Sequence, residues 1–470
     1  MNKQNRALVA RLAAMPVAGL GSLLVTRWIA TGRPVTEFAF LTVVTGLPLL
    51  FTFGELGYGG VASSAVGAHR DEPHRAGRTI GAIATVYGLV AVLVSAVVLA
   101  GALLGGEAGP GGWLGFPDLG AAGAAALICA ALGVPASLGA RIYIGLDRAT
   151  FVILVQAVPA VVTAVVVWLL LAADSSVPVL AVGLLFGNLA VNVVLTVAGL
   201  VAVQARPVSL GSLRRVLGAA GYPAWPNFAS SAAAIAIVQV PRLVLAHRGT
   251  DAAVAEFGVA LVFLIPATSV AFVAGQALWS DFSHANARGE LTFDHVRGAV
   301  RYGAVVGGVI GAGFAVVGPF AAKLVAPDTP AHWSTYLSLA VLLFVFCIDL
   351  PLNVAMLTGP HVLRRGWVVI AQLVVAVVVS VLLPSPTSAG LAWVQTLTVV
   401  LVVLVPSIYT LRRDLPAHPA HPAHPAHPAH PAHPAHPARD HAETSNPGDD
   451  PAARAAGDSR FLHDHEQGRR

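Results

Sequence analysis

Residues 79–104 read TIGAIATVYGLVAVLVSAVVLAGALL, and no charged side chain falls between Arg78 and Glu107. An α-helix rises 1.5 Å per residue, so about 20 apolar residues cross a hydrocarbon core of ~30 Å. The run is long enough to cross once, and it is too apolar to be the surface of a water-soluble domain. Runs of similar kind recur along the chain. Of the 470 residues, 56% are hydrophobic and only 11% are charged, and the mean hydropathy is +0.74. An ordinary soluble domain carries roughly a quarter charged residues. Bilayer is therefore the solvent that suits this chain.

The runs place helices at 7–30, 38–66, 79–104, 119–144, 150–173, 178–204, 218–246, 252–280, 297–324, 333–358, 366–384 and 388–411. Lysine and arginine concentrate on the cytoplasmic side of membrane proteins. With the N-terminus inside, 18 of the 28 basic residues fall on inner loops and flanks. Only Arg27, Arg33, Arg242, Arg248 and Lys323 fall on the outer side. A missing helix would scramble that alternation, so both termini are expected in the cytoplasm. Lys3, Arg6 and Arg11 lead into an apolar run without a convincing cleavage site, which reads as a first helix that stays. The formal charge of +5 is spread over short loops and gives no nucleic-acid signal. Cys129 and Cys347 each lie in an apolar run and read as small buried hydrophobes.

The chain repeats itself. A shift of 216 carries Pro135, Arg148 and Gln156 onto Pro351, Arg364 and Gln372, and a shift of 215 carries Arg27 onto Arg242. Glu37-Phe38-Ala39 is echoed by Glu256-Phe257-Gly258, with Pro48 and Pro266 following in the next helices. Six helices per half leave both halves the same way up, a parallel repeat typical of transporters. The expected fold is an all-α polytopic membrane protein of about twelve transmembrane helices in two parallel six-helix repeats. Its parts are a first half over 1–204, a cytoplasmic linker over 205–217, a second half over 218–414 and a cytoplasmic tail over 415–470.

The tail is chemically distinct. Residues 416–437 repeat Pro-Ala-His, placing seven histidines from His418 to His436 at a spacing of three. Proline at every third position excludes helix and sheet interiors and favours polyproline II. The row suits a stiff spacer, a divalent-metal binder or a proton acceptor. From Arg439 on, the chain is polar and poor in large apolar residues, a composition of disorder.

The opening residues carry a family likeness. An arginine precedes the first helix, which leads to Arg27, Thr31-Gly32 and Glu37-Phe38-Ala39. The second run closes on Gly54-Glu55-Leu56-Gly57-Tyr58-Gly59-Gly60, ahead of Arg70. This resembles the opening of the polysaccharide flippases, the O-antigen-flippase-like proteins of the multidrug, oligosaccharidyl-lipid and polysaccharide exporter (MOP) superfamily. The likeness extends over 7–411 and leaves out the tail. It implies a transporter, not an enzyme, in the plasma membrane of a bacterium. Such a protein moves a polyprenyl-pyrophosphate-linked oligosaccharide from the inner to the outer leaflet by alternating access. Its partners would be that glycan lipid, membrane lipid and other polysaccharide-assembly proteins, with no cofactor.

Ionisable groups within spans are costly and point to function. Arg27 and Arg242 stand at matching places in the two halves, and a guanidinium pairs well with phosphate oxygens. Each could equally snorkel to the interface as an anchor. Glu55 and Asp349 lie deeper and could couple an ion, or be carboxylates satisfied by a nearby partner. Asn188 and Asn192 share a helix face and, with Gln156, Gln239, Gln276, Asn353 and Gln372, could line a sugar site or hydrogen-bond between helices. No nucleotide or metal motif appears in the membrane part. Two other functions remain: a major facilitator transporter, whose loop signature is only half matched by Gly67 and Asp71, and a membrane glycosyltransferase or polymerase. The longest outer loop offers such an enzyme only Glu107 and Asp118.

Overall fold

A computed structural model describes residues 3–49, 57–69, 72–206, 235–288, 290–357 and 361–415, with short pieces at 208, 225, 228–229 and 232–233. Glu55, the linker from 209 to 217 and the His repeat lie outside the described residues. Among the described residues there are helices and turns and no strand.

The helices are α1 (Lys3–Gly32), α2 (Val35–Gly46, resuming at Tyr58–Ala68), α3 (Gly77–Leu104) and α4 (Gly120–Ala136, then Leu138–Gly145). They continue with α5 (Ala149–Val155, then Val158–Ala172), α6 (Val177–Ala202), α7 (235–248), α8 (Asp251–Ala287) and α9 (Phe293–Val325). Last come α10 (Trp333–Leu357), α11 (Val362–Leu382) and α12 (Ser388–Asp414). Nine of these, among the described residues, are long and apolar enough to cross a membrane. With α1, the two pieces of α2, and α7, they make up the twelve-helix fold.

Sequence pattern and packing agree in α3. Ile80, Ile83, Tyr87 and Val98 are buried, while Leu89, Val92, Leu93, Leu99 and Leu103 are exposed on the outer face. A contiguous exposed apolar stripe of that length is a surface for hydrocarbon. The halves repeat in packing as well as in sequence. In the first, α3 packs on α4, α4 on α6 and α5 on α6; in the second, α9 packs on α10, α10 on α12 and α11 on α12. Each pairing recurs six helices later. Across the halves, α2 packs on α8, and α1 on α8 and α9.

Several spans expected as unbroken helices are interrupted. Near Pro135, α4 breaks at Ser137, and Thr196 of α6 enters the gap: its Oγ1 accepts from Gly139 N at 2.8 Å and donates to Ala136 O at 2.6 Å. A side chain inserted into the ladder is one of the recognised causes of a kink. In α5 the break at Gln156–Ala157 comes just before Pro159, which has no N–H to give. The segment expected at 38–66 ends its first piece at Gly46, followed by a 3₁₀ turn over Leu47–Leu49 that contains Pro48. At the other extreme α8 runs to Ala287, seven residues past its expected end at 280.

Candidate functional site

A cavity of about 340 Å³ lies between the halves, walled by α1, α2, α5, α6, α7 and α8. The broken helices make room for it: Pro48 and Pro159 line it directly, and Pro266 lines it from α8. Its apolar walls include Val25, Leu184, Val262 and Ile265. Its polar groups are Ser22, Thr26, Thr45, Gln156, Thr163, Asn188 and Arg242.

Among the described residues, Arg242 is the only charged one on that wall. It is 2% exposed, and its Nε and Nη1 find no hydrogen-bond partner among the described residues. Guanidinium does not deprotonate in proteins, so Arg242 brings a positive charge to the wall of the space between the halves. Gly46 lets it come so close. A Cβ on Gly46 would collide with Arg242 and Gln239 of α7. Gln239 Nε2 donates to the carbonyl of Gly46, at the end of the first piece of α2.

The hydroxyls of the wall have a common orientation of chemistry. Ser22 donates to Ala18 O at 3.0 Å, Thr26 to Ser22 O at 2.8 Å and Thr45 to Thr42 O at 2.7 Å. Their protons are spent on the helix backbone, which leaves oxygen lone pairs as acceptors. Next to Arg242 and the amides of Gln156 and Asn188, the wall offers one strong donor group and several acceptors. That set suits a ligand with an anionic part and hydroxyl groups.

The sequence candidates separate here. Arg242, Asn188 and Gln156 meet on one wall. Asn192, one turn from Asn188, donates its Nδ2 to Asn188 O at 2.9 Å and is not part of the lining. Arg27 is exposed, lies off the cavity wall, and its Nη1 donates to Leu324 O near the end of α9. Arg242 lies within α7, six residues before its end at 248. Asp349 is buried with Arg365, whose Nη1 and Nη2 reach its two oxygens at 3.2 and 2.7 Å. Arg365 Nη1 also donates to Ser407 Oγ at 3.0 Å. Among the described residues, no partner is found for Nε2 of the buried Gln372 or for Oδ1 of Asn353. The side chain of Gln276 lies outside the described ones.

Sequence reasoning missed three groups. Arg365 is one of the 18 basic residues on inner loops and flanks, and nothing in its spacing marks it out. Glu256, noted only as part of the repeat, is 3% exposed and accepts from the backbone N and Nδ1 of His332 at 2.7 and 3.0 Å. The cavity hydroxyls of α1 carried a usable signal, since Ser22 and Thr26 are four apart and share a face with Gly19.

No family model matches the sequence, and no curated protein matches it either. Solved structures do match in fold. An outward-facing multidrug resistance MATE family transporter of the MOP superfamily aligns with a TM-score of 0.59 at 14% identity, covering 88% of this chain and 98% of that one. The inward-facing conformation of a transporter so described gives 0.58 at 14% identity, covering 86% and 99%. A MOP superfamily transporter from Pyrococcus furiosus, described as having a binding pocket of reverse polarity that suggests a different function, gives 0.58 at 15% identity, covering 87% and 95%. The chain has the fold of the MOP-superfamily transporters, a fold solved in those neighbours both open inward and open outward.

Proposed function

We propose that this chain is a flippase of polyprenyl-pyrophosphate-linked oligosaccharide, working from the inner to the outer leaflet of a bacterial plasma membrane by alternating access. The observation that carries the reading is Arg242: a buried guanidinium on the wall of a cavity between the halves, with no partner for its Nε and Nη1 among the described residues. A sugar head and a pyrophosphate cannot cross hydrocarbon unaided. In this reading Arg242 holds a phosphate oxygen, Asn188 and Gln156 meet sugar hydroxyls, and the lipid tail stays in the bilayer. Asn192 backs Asn188. Rocking of the halves then presents the head to each side in turn. Glu55 and Asp349 remain the proposed ion-coupling residues. Other polysaccharide-assembly proteins would supply and take up the glycan lipid.

The neighbours described as multidrug resistance transporters suggest a second cargo class, drug molecules. The fixed positive charge of Arg242 disfavours any of these that are cationic. Binding of a purified short polyprenyl pyrophosphate to the detergent-solubilised protein tests the choice. Losing one desolvated, charge-assisted contact costs about 1.5–3 kcal/mol, or roughly one to two decades in affinity. Arg242→Gln is expected to show that loss, and Arg242→Lys only part of it, because lysine keeps the charge without the planar fork. Equal affinity in the parent and Arg242→Gln proteins would remove the site.

A further inference from the structure

The halves are tied together on the face that carries the α1–α2 and α7–α8 connections. Arg27 of α1 donates to the carbonyl of Leu324, in the last turn of α9. Thr36 Oγ1, in the first turn of α2, donates to Asp251 Oδ2 at 2.5 Å, in the first turn of α8. Gly115, in the α3–α4 connection, lies on the backbone of Ala246 in α7 at φ +86°, where a Cβ would collide. Beneath these, a Cβ on Gly258 of α8 would run into Thr42 of α2. Phe40 and Phe116 pack edge to face at 5.5 Å.

The apolar packing has the same polarity. One large cluster joins Val25, Phe40 and Phe116 of the first half to Leu245, Phe257 and Tyr336 of the second. Toward the other face, among the described residues, one cluster keeps to the first half, around Val66, Ile83 and Ile142. Another keeps to the second half, around Phe282, Met356 and Leu411.

We infer that the α1–α2 face is a gate, held shut in this structure, and that Arg27 is one of its latch residues and not a cargo ligand. The guanidinium of Arg27 sits where the last carbonyls of α9 lack intrahelical donors and where the helix dipole is negative. That attraction joins the halves and is given up when they part. Among the described residues, the other contacts across the seam are the Thr36–Asp251 bond and glycine against backbone or threonine, so the seam closes tightly without an ion pair across it. Such a seam is reversible. Asp251 works from the opposite side, as an acid in the first turn of α8 that is also bonded to the other half. The inference needs only the fold and these contacts, so its test stands apart from the identity of the cargo.

The test times thiol labelling beneath the seam, in lipid nanodiscs. Cys129 and Cys347 are replaced by alanine, and Thr42, 5% exposed, is replaced by cysteine. A bulky charged maleimide is the probe. Losing the Arg27 bond should raise the open fraction, so Arg27→Gln is expected to speed labelling roughly tenfold. Gly115→Ala is expected to speed it as well, by driving a methyl into Ala246. A disulfide between Thr36→Cys and Asp251→Cys should restore protection in the Arg27→Gln protein until it is reduced. That restoration, with monodisperse elution in size exclusion, separates an opened gate from an unfolded protein. Labelling of Arg27→Gln at the parent rate would overturn the assignment. So would fast labelling that the disulfide leaves unchanged.

Discussion

Arg365 makes three bonds in the interior of the second half, two to Asp349 and one to Ser407. A buried pair of this kind adds little net stability over apolar residues, but breaking it leaves a bare charge and costs about 3–5 kcal/mol. Asp349→Ala is expected to lower stability by that amount in thermal unfolding in detergent. Asp349→Ala combined with Arg365→Met is expected to recover most of the loss. A single variant as stable as the double would contradict the pairing. The sequence made Asp349 visible as a carboxylate inside an apolar run. Its partner was hidden, because the pairing depends on how α10 and α11 fold back on each other and not on any local spacing. The arginine pair shows the same limit. The repeat matches Arg27 to Arg242, yet only Arg242 reaches the cavity, because α1 and α7 have different neighbours at those positions.

At the scale of elements, the apolar runs reported where helices lie and not where they break. Proline only disfavours the helix interior, and what replaces the lost bond is a neighbour the sequence does not name. Thr196 does this for α4. In α12, the stretch Val399–Leu404 is π-helical and ends just before Pro406, the residue that cannot donate. In α2, the second piece starts after Gly57, which has φ 78°. A residue with a Cβ in that region costs about 1–2 kcal/mol. Gly57→Ala is therefore expected to lower stability by about that much. Gly60→Ala, inside the regular helix Tyr58–Ala68, is expected to be neutral or mildly stabilising. Equal effects of the two on the melting temperature would mean that the break in α2 is not set by Gly57.

For the whole molecule, the two-half plan could be read from a few residues: Pro135, Arg148 and Gln156 against Pro351, Arg364 and Gln372. These mark the same hairpin twice, and the packing of α3–α6 recurs in α9–α12. The cavity between the halves could not be read in that way, because its walls come from six helices whose docking no local spacing encodes. Candidate residues were legible one by one; their meeting place was not. The central claim is that this meeting place carries a pyrophosphate-headed lipid across the bilayer. The most direct measurement reconstitutes the protein in vesicles with a fluorescent polyprenyl-pyrophosphate glycan, adds an impermeant quencher, and imposes or omits a proton gradient. The expected result is protein-dependent quenching beyond the fraction reached in protein-free vesicles, slowed by roughly one to two decades in Arg242→Gln at subsaturating lipid. Quenching no greater than in protein-free vesicles, or equal rates for parent and Arg242→Gln proteins, would contradict it.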